Sequence, residues 1–154
     1  MPHTVWRITH ARYRETAFSG AGARQYGGRF NSRGVPAVYT SESLALALVE
    51  TLVGLAEVAD LQHYLFFRAD LPEHPLASAG PDNLPDEWDA HPPSRRTQAL
   101  GDRWVAQQRA LALRVPSVVV PYSYNYVLNP EHPDFSNVTI HEAERLPVDP
   151  RIIT

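Results

Sequence analysis

The fold turns on residues 35–56, which read Val35-Pro-Ala-Val-Tyr-Thr-Ser-Glu-Ser-Leu-Ala-Leu-Ala-Leu-Val-Glu50-Thr-Leu-Val-Gly-Leu-Ala56. The first six of these residues predict a short strand, and a helix is predicted to follow over residues 42–59. Ser41 or Ser43 can cap this helix, and Glu42 in its first turn suits the helix dipole. Most of the helix circumference is apolar, which favours burial on several sides.

Glu50 has the most unusual setting in this segment, because no other charged residue lies between Ser43 and Ala56. A carboxylate on so apolar an element is costly unless it is paired or lines a wet cavity. The alternative is a solvent-facing stripe that continues through Glu57. The spacing alone leaves both interpretations open.

The rest of the chain mixes strand and helix patterns without a regular βαβ rhythm. This predicts an α+β fold with mixed small sheets and flanking helices, in one domain over residues 1–154. Strands are predicted over residues 4–8, within 61–71, and over 117–120 as a central strand, with edge strands at 138–140 and 152–153. A further helix is predicted over 94–113, and the segments 19–34, 72–96 and 122–133 are predicted to be a glycine-rich loop, a proline-rich surface excursion and a polar aromatic loop.

Composition narrows the function classes. The chain has 154 residues and no cysteine, which excludes disulfides, thiolate zinc sites and a cysteine nucleophile. The histidines are dispersed without metal-ligand spacing, so no metal is expected. The net charge of −3 argues against direct nucleic-acid binding, although all 14 basic residues are arginine. With no signal peptide and no membrane span in the sequence, a cytoplasmic protein is expected.

The segment 20–34 combines five of the chain's eight glycines with Arg24, Arg29 and Arg33. Glycines let the backbone approach a ligand closely, and arginines hold phosphates, so a pyrophosphate is a natural guest. The spacing matches neither a dinucleotide-fold fingerprint nor a P-loop. A surface loop with solvated arginines is the alternative.

A third candidate region lies in residues 121–130, where Ser123, Asn125 and Asn129 are interleaved with tyrosines. Hydroxyls and amides here could orient a ribose or an amide, while tyrosine rings stack on other rings. The alternative is a tight turn whose side chains satisfy backbone groups, which suits Asn129 better than Ser123.

Taken together, these blocks resemble the RES family. The matching residues are Trp6-Arg-Ile8, Phe18-Ser-Gly-Ala-Gly-Ala-Arg24, Tyr26-Gly-Gly-Arg-Phe-Asn31, Val38-Tyr-Thr-Ser41, Leu48-Val-Glu50, Trp104, Pro116-Ser117, Pro121-Tyr-Ser123, Asn125 and Leu128-Asn-Pro-Glu-His-Pro133. The arginine, glutamate and serine that name the family are taken here as Arg29, Glu50 and Ser123. Phe30 replaces a frequent tryptophan.

The resemblance implies an ADP-ribosyltransferase-like fold with an NAD+ pocket, in the toxin half of a bacterial toxin–antitoxin pair. It implies cleavage of the nicotinamide–ribose bond, by hydrolysis or by phosphorolysis with phosphate as co-substrate. NAD+ is then a substrate, and neither a cofactor nor a metal is required. The implied partner is an Xre-type helix-turn-helix antitoxin, with a homodimer inside a larger complex.

The resemblance also suggests roles for the site residues. Glu50 stabilises oxocarbenium character at the ribose, and Arg29 keeps Glu50 ionised or grips the pyrophosphate. Tyr39 stacks on nicotinamide or bonds the ribose, while Ser123 and Asn125 position the ribose or the carboxamide. Two alternatives remain open: ADP-ribosyl transfer to a specific protein, and a non-catalytic module that binds a nucleotide or partner.

Overall fold

The computed structural model describes residues 3–73, 75–80 and 82–153, and it builds one mixed sheet flanked by helices. The strands are β1 (His3–His10), β2 (Val38–Ser41), β3 (Tyr64–Leu71), β4 (Ala77–Ser78), β5 (Ala112–Pro116), β6 (Tyr124–Leu128), β7 (Thr139–Ile140) and β8 (Glu144–Arg145). The helices are α1 (Ala21–Tyr26), α2 (Leu44–Leu52), α3 (Arg95–Gln107) and α4 (Pro150–Ile153). The expected α+β domain is confirmed.

The strand order is β4-β5-β6-β2-β1-β3-β7, with β8 also pairing β3, but the sheet is not uniformly continuous. β1 and β3 pair antiparallel along their whole length, and β2 pairs β6 over four residues. Between β1 and β2, the register of the described residues gives a single pair, Trp6 with Ser41. The sheet therefore consists of a first half-sheet (β1, β3, β7, β8) and a second half-sheet (β2, β4, β5, β6) that are joined through one register pair.

Alternating side chains bury both faces of the second half-sheet. On β6, Tyr126 and Leu128 join a cluster with Val5 of β1, whereas Val127 joins a second cluster that includes Trp104 of α3. This is the period of two that a strand imposes on its side chains. Strand β5 shows the same alternation, so β5 and β6 are the two inner strands of the second half-sheet.

Helix α2 is shorter than predicted: it begins at Leu44, so that Glu42 lies before its first turn, and it also ends earlier. The Ser43 hydroxyl accepts a hydrogen bond from the backbone N–H of Leu46 at 3.0 Å, so Ser43 is the N-cap. The helix ends at Leu52 rather than residue 59, because the N–H of Gly54 turns back to Thr51 in a tighter, 3-10 type bond. Glycine in a helix interior is unfavourable, which explains the stop.

The predicted loop at residues 19–34 contains a short helix that the sequence analysis missed. Helix α1 lies between Gly20 and Gly27, both with positive φ, at 78° and 77°. These left-handed residues turn the chain into and out of α1. The glycines therefore delimit a helix rather than make the whole segment irregular.

The predicted central strand at residues 117–120 is wrong. The strand ends at Pro116, residues 117–122 form a turn in which Val118 and Val119 are 40% and 36% exposed, and the chain returns as β6 through the predicted loop 122–133. The hydroxyl of Ser117 accepts from the N–H groups of Val119 and Val120, which fixes the turn. Apolar residue type did not decide burial here; this turn did.

Two other predictions, both in the C-terminal half of the chain, differ from the structure. Helix α3 ends at Gln107, and Gln108 follows with φ 51°, so residues 112–113 belong to β5 rather than to the predicted helix. The predicted edge strand at 152–153 is wrong, because these residues lie in α4, which starts at Pro150. The edge strand at 138–140 is confirmed as β7. Among the described helices, none is long and apolar enough to cross a membrane.

Gly101→Ala tests the packing of α3. A Cβ at Gly101 would lie 1.7 Å from the carbonyl oxygen of Phe30, which is backbone and cannot simply rotate away. We expect a loss of about 3 kcal/mol in the free energy of unfolding, measured by urea titration. Gly22→Ala in α1 is the matched control, since nothing lies within 4 Å of its Cβ. Equal midpoints for the two variants would contradict this packing.

Candidate active site

Three cavities meet where the two half-sheets touch. Their volumes are about 730, 430 and 180 Å³, and Tyr39 and Glu50 border all three. The largest lies against α1 and its flanking glycines, and Arg7 and Arg29 also line it. The 430 Å³ cavity is bordered by the turn after β5 and by the proline-rich segment. The resulting site is a carboxylate placed between a large, arginine-bearing cavity and a smaller one.

The Glu50 carboxylate is held by two neutral donors. The Ser117 hydroxyl donates to Oε1 at 3.1 Å, and the Asn125 side-chain amide donates to Oε2 at 2.8 Å. The amide of Asn125 is itself oriented by Ser41, whose hydroxyl donates to Oδ1 at 2.7 Å. Glu50 therefore lines a cavity, rather than lying on a stripe open to solvent, and its carboxylate is preorganised.

Ser117 contacts Glu50, whereas Ser123 does not. The hydroxyl of Ser123 donates to the carbonyl of Pro121 at 3.4 Å, and Ser123 borders none of the three cavities. The predicted role of Ser123 therefore has no geometric support here, although it stays a prediction. Ser117 was not predicted as a site residue, because the valines that follow it in the sequence predict a buried strand rather than a turn beside the site.

Arg7 is a second residue that sequence reasoning left without a role. Its guanidinium lines two of the cavities, donating from Nε to the carbonyl of Ala17 at 2.7 Å and from Nη1 to the carbonyl of Tyr39 at 3.0 Å. Burial lowers the pKa of Arg7 to about 10, so the side chain remains charged at neutral pH. Among the described residues, none of the ion pairs involves Arg7. Arg7 thus supplies the large cavity with a cation that can accept an anionic ligand.

Tyr39 presents its ring rather than its hydroxyl to the cavities. The hydroxyl donates to Oδ1 of Asn31 at 2.6 Å and accepts from the N–H of Phe30 at 3.0 Å. Burial raises the pKa of Tyr39, so the phenol stays protonated. Since its single donor is already used, stacking is the role left to this side chain.

Arg29 joins the glycine-rich segment to the proline-rich one. Its Nη1 donates to the carbonyls of Trp88 and Ala90, at 2.9 and 2.7 Å, and the side chain borders the 730 and 430 Å³ cavities. Arg24 and Arg33 are exposed and border neither cavity. Of the three arginines that the sequence places in one segment, Arg29 lines the large cavity and the other two do not. Arg7 is the second arginine in the lining of that cavity.

Of the sequence-predicted site residues, the structure brings Arg29, Tyr39, Glu50 and Asn125 together. Within the part of the chain that the structure describes, no group of three or more His, Asp or Glu side chains is placed to share a metal ion.

Comparison with known sequences agrees with the family resemblance noted above. The profile of the RES domain matches residues 4–149. The chain belongs to the RES family. A protein of Photorhabdus laumondii named Toxin Res is 37% identical over 151 residues, covering 97% of this chain and 96% of that protein. A Sphingobium protein named Prs ADP-ribosylating toxin is 42% identical over 159 residues, covering 99% and 98%.

A solved structure shares the fold of this RES chain. A chain in the crystal structure of the M. tuberculosis MbcT–MbcA toxin–antitoxin complex superimposes with a TM-score of 0.74, covering 95% of this chain and 85% of that one. The two are 20% identical in sequence, so the likeness concerns the fold.

Ser117→Ala tests the anchoring of Glu50. The change leaves the N–H groups of Val119 and Val120 and one oxygen of Glu50 without this partner, and we expect a loss of about 1–3 kcal/mol of unfolding free energy. Ser123→Ala is the matched control, with an expected change within about 0.5 kcal/mol. The free energy of unfolding of both variants is measured by urea titration. A larger loss for Ser123→Ala than for Ser117→Ala would contradict the assignment of Ser117 as the anchor of Glu50.

Proposed function

We propose that this RES protein is the toxin of a toxin–antitoxin system and that it cleaves the nicotinamide–ribose bond of NAD+. One observation carries the proposal: Glu50 is fixed by Ser117 and Asn125 at the point where an arginine-bearing cavity of dinucleotide size meets a second cavity. The names of the Photorhabdus and Sphingobium relatives support a toxin, and the second name supports chemistry on an ADP-ribosyl group.

The ADP-ribose part of NAD+ suits the large cavity. Its volume of about 730 Å³ lies within the range of small-molecule pockets. The cations of Arg7 and Arg29 provide charge for the pyrophosphate. Gly28 also lines this cavity, and its missing side chain leaves room for the Tyr39 hydroxyl, which a Cβ there would meet at 2.6 Å. Both guanidinium groups also hold backbone carbonyls, Arg7 through Nε and Nη1 and Arg29 through Nη1, so each would contact a phosphate through its remaining N–H groups.

The bond breaks with its electron pair leaving on the nicotinamide nitrogen. Positive charge then develops on the ribose, and the Glu50 carboxylate stabilises it. Ser117 and Asn125 do not react; they keep the carboxylate in place, so no reorganisation is needed when the charge appears. The ring of Tyr39 is available to stack on nicotinamide. In this scheme neither a metal nor a cofactor is required.

The antitoxin is proposed to cover this site. Val53, Val118 and Val119 are exposed at the 430 Å³ cavity, at 66%, 40% and 36%, and such an apolar rim is suited to a protein partner. The structural neighbour comes from a toxin–antitoxin complex. We take the partner to be an Xre-type helix-turn-helix protein that supplies the DNA contacts, with the toxin as a homodimer in the cytoplasm.

Glu50→Gln tests the chemistry. The amide is nearly isosteric but carries no charge, so we expect NAD+ consumption by the purified chain to fall by about 10²-fold or more. Nicotinamide release is measured with and without inorganic phosphate, because phosphate dependence identifies a phosphorylase.

Glu57→Gln is the matched control, since Glu57 is exposed and outside the three cavities. Equal rates for Glu50→Gln and wild type would overturn the proposal. Equal toxicity of wild type and Glu50→Ala in cells would favour a non-catalytic binding module.

Transfer of ADP-ribose to a protein is the second candidate, favoured by the name of the Sphingobium relative. Both reactions begin with the same bond cleavage and differ in the acceptor. We expect adenine-labelled NAD+ incubated with the chain and a bacterial lysate to leave its label in small molecules. Label on one protein band, absent with Glu50→Gln, would establish the transferase instead.

A further inference from the structure

The proline-rich segment forms one wall of the candidate site. Arg29 fastens this segment by hydrogen bonds to the carbonyls of Trp88 and Ala90, which flank Asp89. Asp89 and His91 border the 430 Å³ cavity together with Glu50. The segment is thus more than a surface excursion, because its backbone is anchored beside the carboxylate.

Glu50 borders two spaces of different character. The 730 Å³ cavity is the one suited to the dinucleotide, and the lining of the 430 Å³ cavity does not include the α1 residues. Asp89, His91 and the exposed valines give the smaller cavity an opening to solvent. A nucleophile can therefore reach the ribose by this route while the dinucleotide is bound.

A nucleophile that carries a proton must lose it during the reaction. Both oxygens of Glu50 already accept hydrogen bonds, from Ser117 and Asn125, and its charge is needed opposite the ribose. Arg29 is a donor only, and the Tyr39 hydroxyl is engaged with Asn31. Histidine is the side chain best suited to accept a proton near neutral pH, and His91 is the histidine at this cavity.

We propose that the 430 Å³ cavity is the acceptor subsite of the enzyme and that His91 is its general base; this rests on the proposed NAD+ cleavage. An oxygen nucleophile binds there and attacks the anomeric carbon of the ribose. The new C–O bond forms as the C–N bond breaks, the electron pair leaves on the nicotinamide nitrogen, and the proton of the nucleophile passes to the free nitrogen of the His91 imidazole.

This assignment distinguishes two acceptors by their chemistry. Water must be deprotonated, and so depends on His91. The hydrogen phosphate dianion already carries negatively charged oxygens, and attacks without a base. Loss of His91 therefore slows hydrolysis much more than phosphorolysis.

The experiment compares the full-length wild-type chain with His91→Ala, by measuring ADP-ribose and ADP-ribose 1-phosphate formed from NAD+ with and without inorganic phosphate. We expect hydrolysis to fall by about 10²-fold and the ratio of phosphorolysis to hydrolysis to rise at least about tenfold. Added imidazole should restore part of the hydrolysis, which a merely structural role would not allow. His63→Ala is the control, since His63 is exposed and borders none of the three cavities.

Three results would overturn the assignment: unchanged hydrolysis in His91→Ala, an equal loss of both products without imidazole rescue, or the same selective loss in Asp89→Asn but not in His91→Ala. Absence of NAD+ cleavage by folded wild type would instead refute the proposed function itself, so the two failures are distinguishable.

Discussion

The single pairing of Trp6 with Ser41 is the constraint on which the site depends. A continuous ladder between β1 and β2 would fill the space between the half-sheets with backbone hydrogen bonds. Instead the strands share one register pair, and Arg7 donates across to the carbonyl of Tyr39. This bond and the one from Nε to the carbonyl of Ala17 satisfy two backbone acceptors, and the guanidinium still lines the large cavity. The single register pair therefore accounts both for the space between the half-sheets and for the place of the Arg7 guanidinium in that space.

The carboxylate at this opening is held by parts of the chain that are distant in sequence. Glu50 lies on α2, Ser117 on the turn after β5, Asn125 on β6 and Ser41 at the end of β2. Each side chain orients the next, from Ser41 to Asn125 and from Asn125 to Glu50. Leaving any of these polar groups without its partner would cost free energy, so the network fixes one arrangement. That rigidity suits the role proposed for Glu50, which is to stabilise developing positive charge.

The proline-rich segment has a place in the same arrangement. The family resemblance predicts that Arg29 holds a pyrophosphate. In the structure, Arg29 donates hydrogen bonds to the carbonyls of Trp88 and Ala90. One side chain therefore connects the wall of the 730 Å³ cavity to the wall of the 430 Å³ cavity. Substitution of Arg29 would disturb both walls, and loss of activity in such a variant would not separate the two roles.

The sequence by itself limited the helix cap to Ser41 or Ser43, and it determined the isolation of Glu50 on an apolar helix and the grouping of Arg29, Tyr39 and Asn125 at one site. These features follow from local periodicity, from the cost of a lone carboxylate and from the family resemblance. Only the tertiary structure decided that Ser117 rather than Ser123 contacts Glu50, and that Arg7 enters the large cavity. The valine run after Ser117 has the composition of a buried strand, yet it forms an exposed turn. Residue type sets the preference for burial, but the pairing of β5 with β6 sets where the turn must fall, and this pairing is a contact between segments that local sequence does not encode.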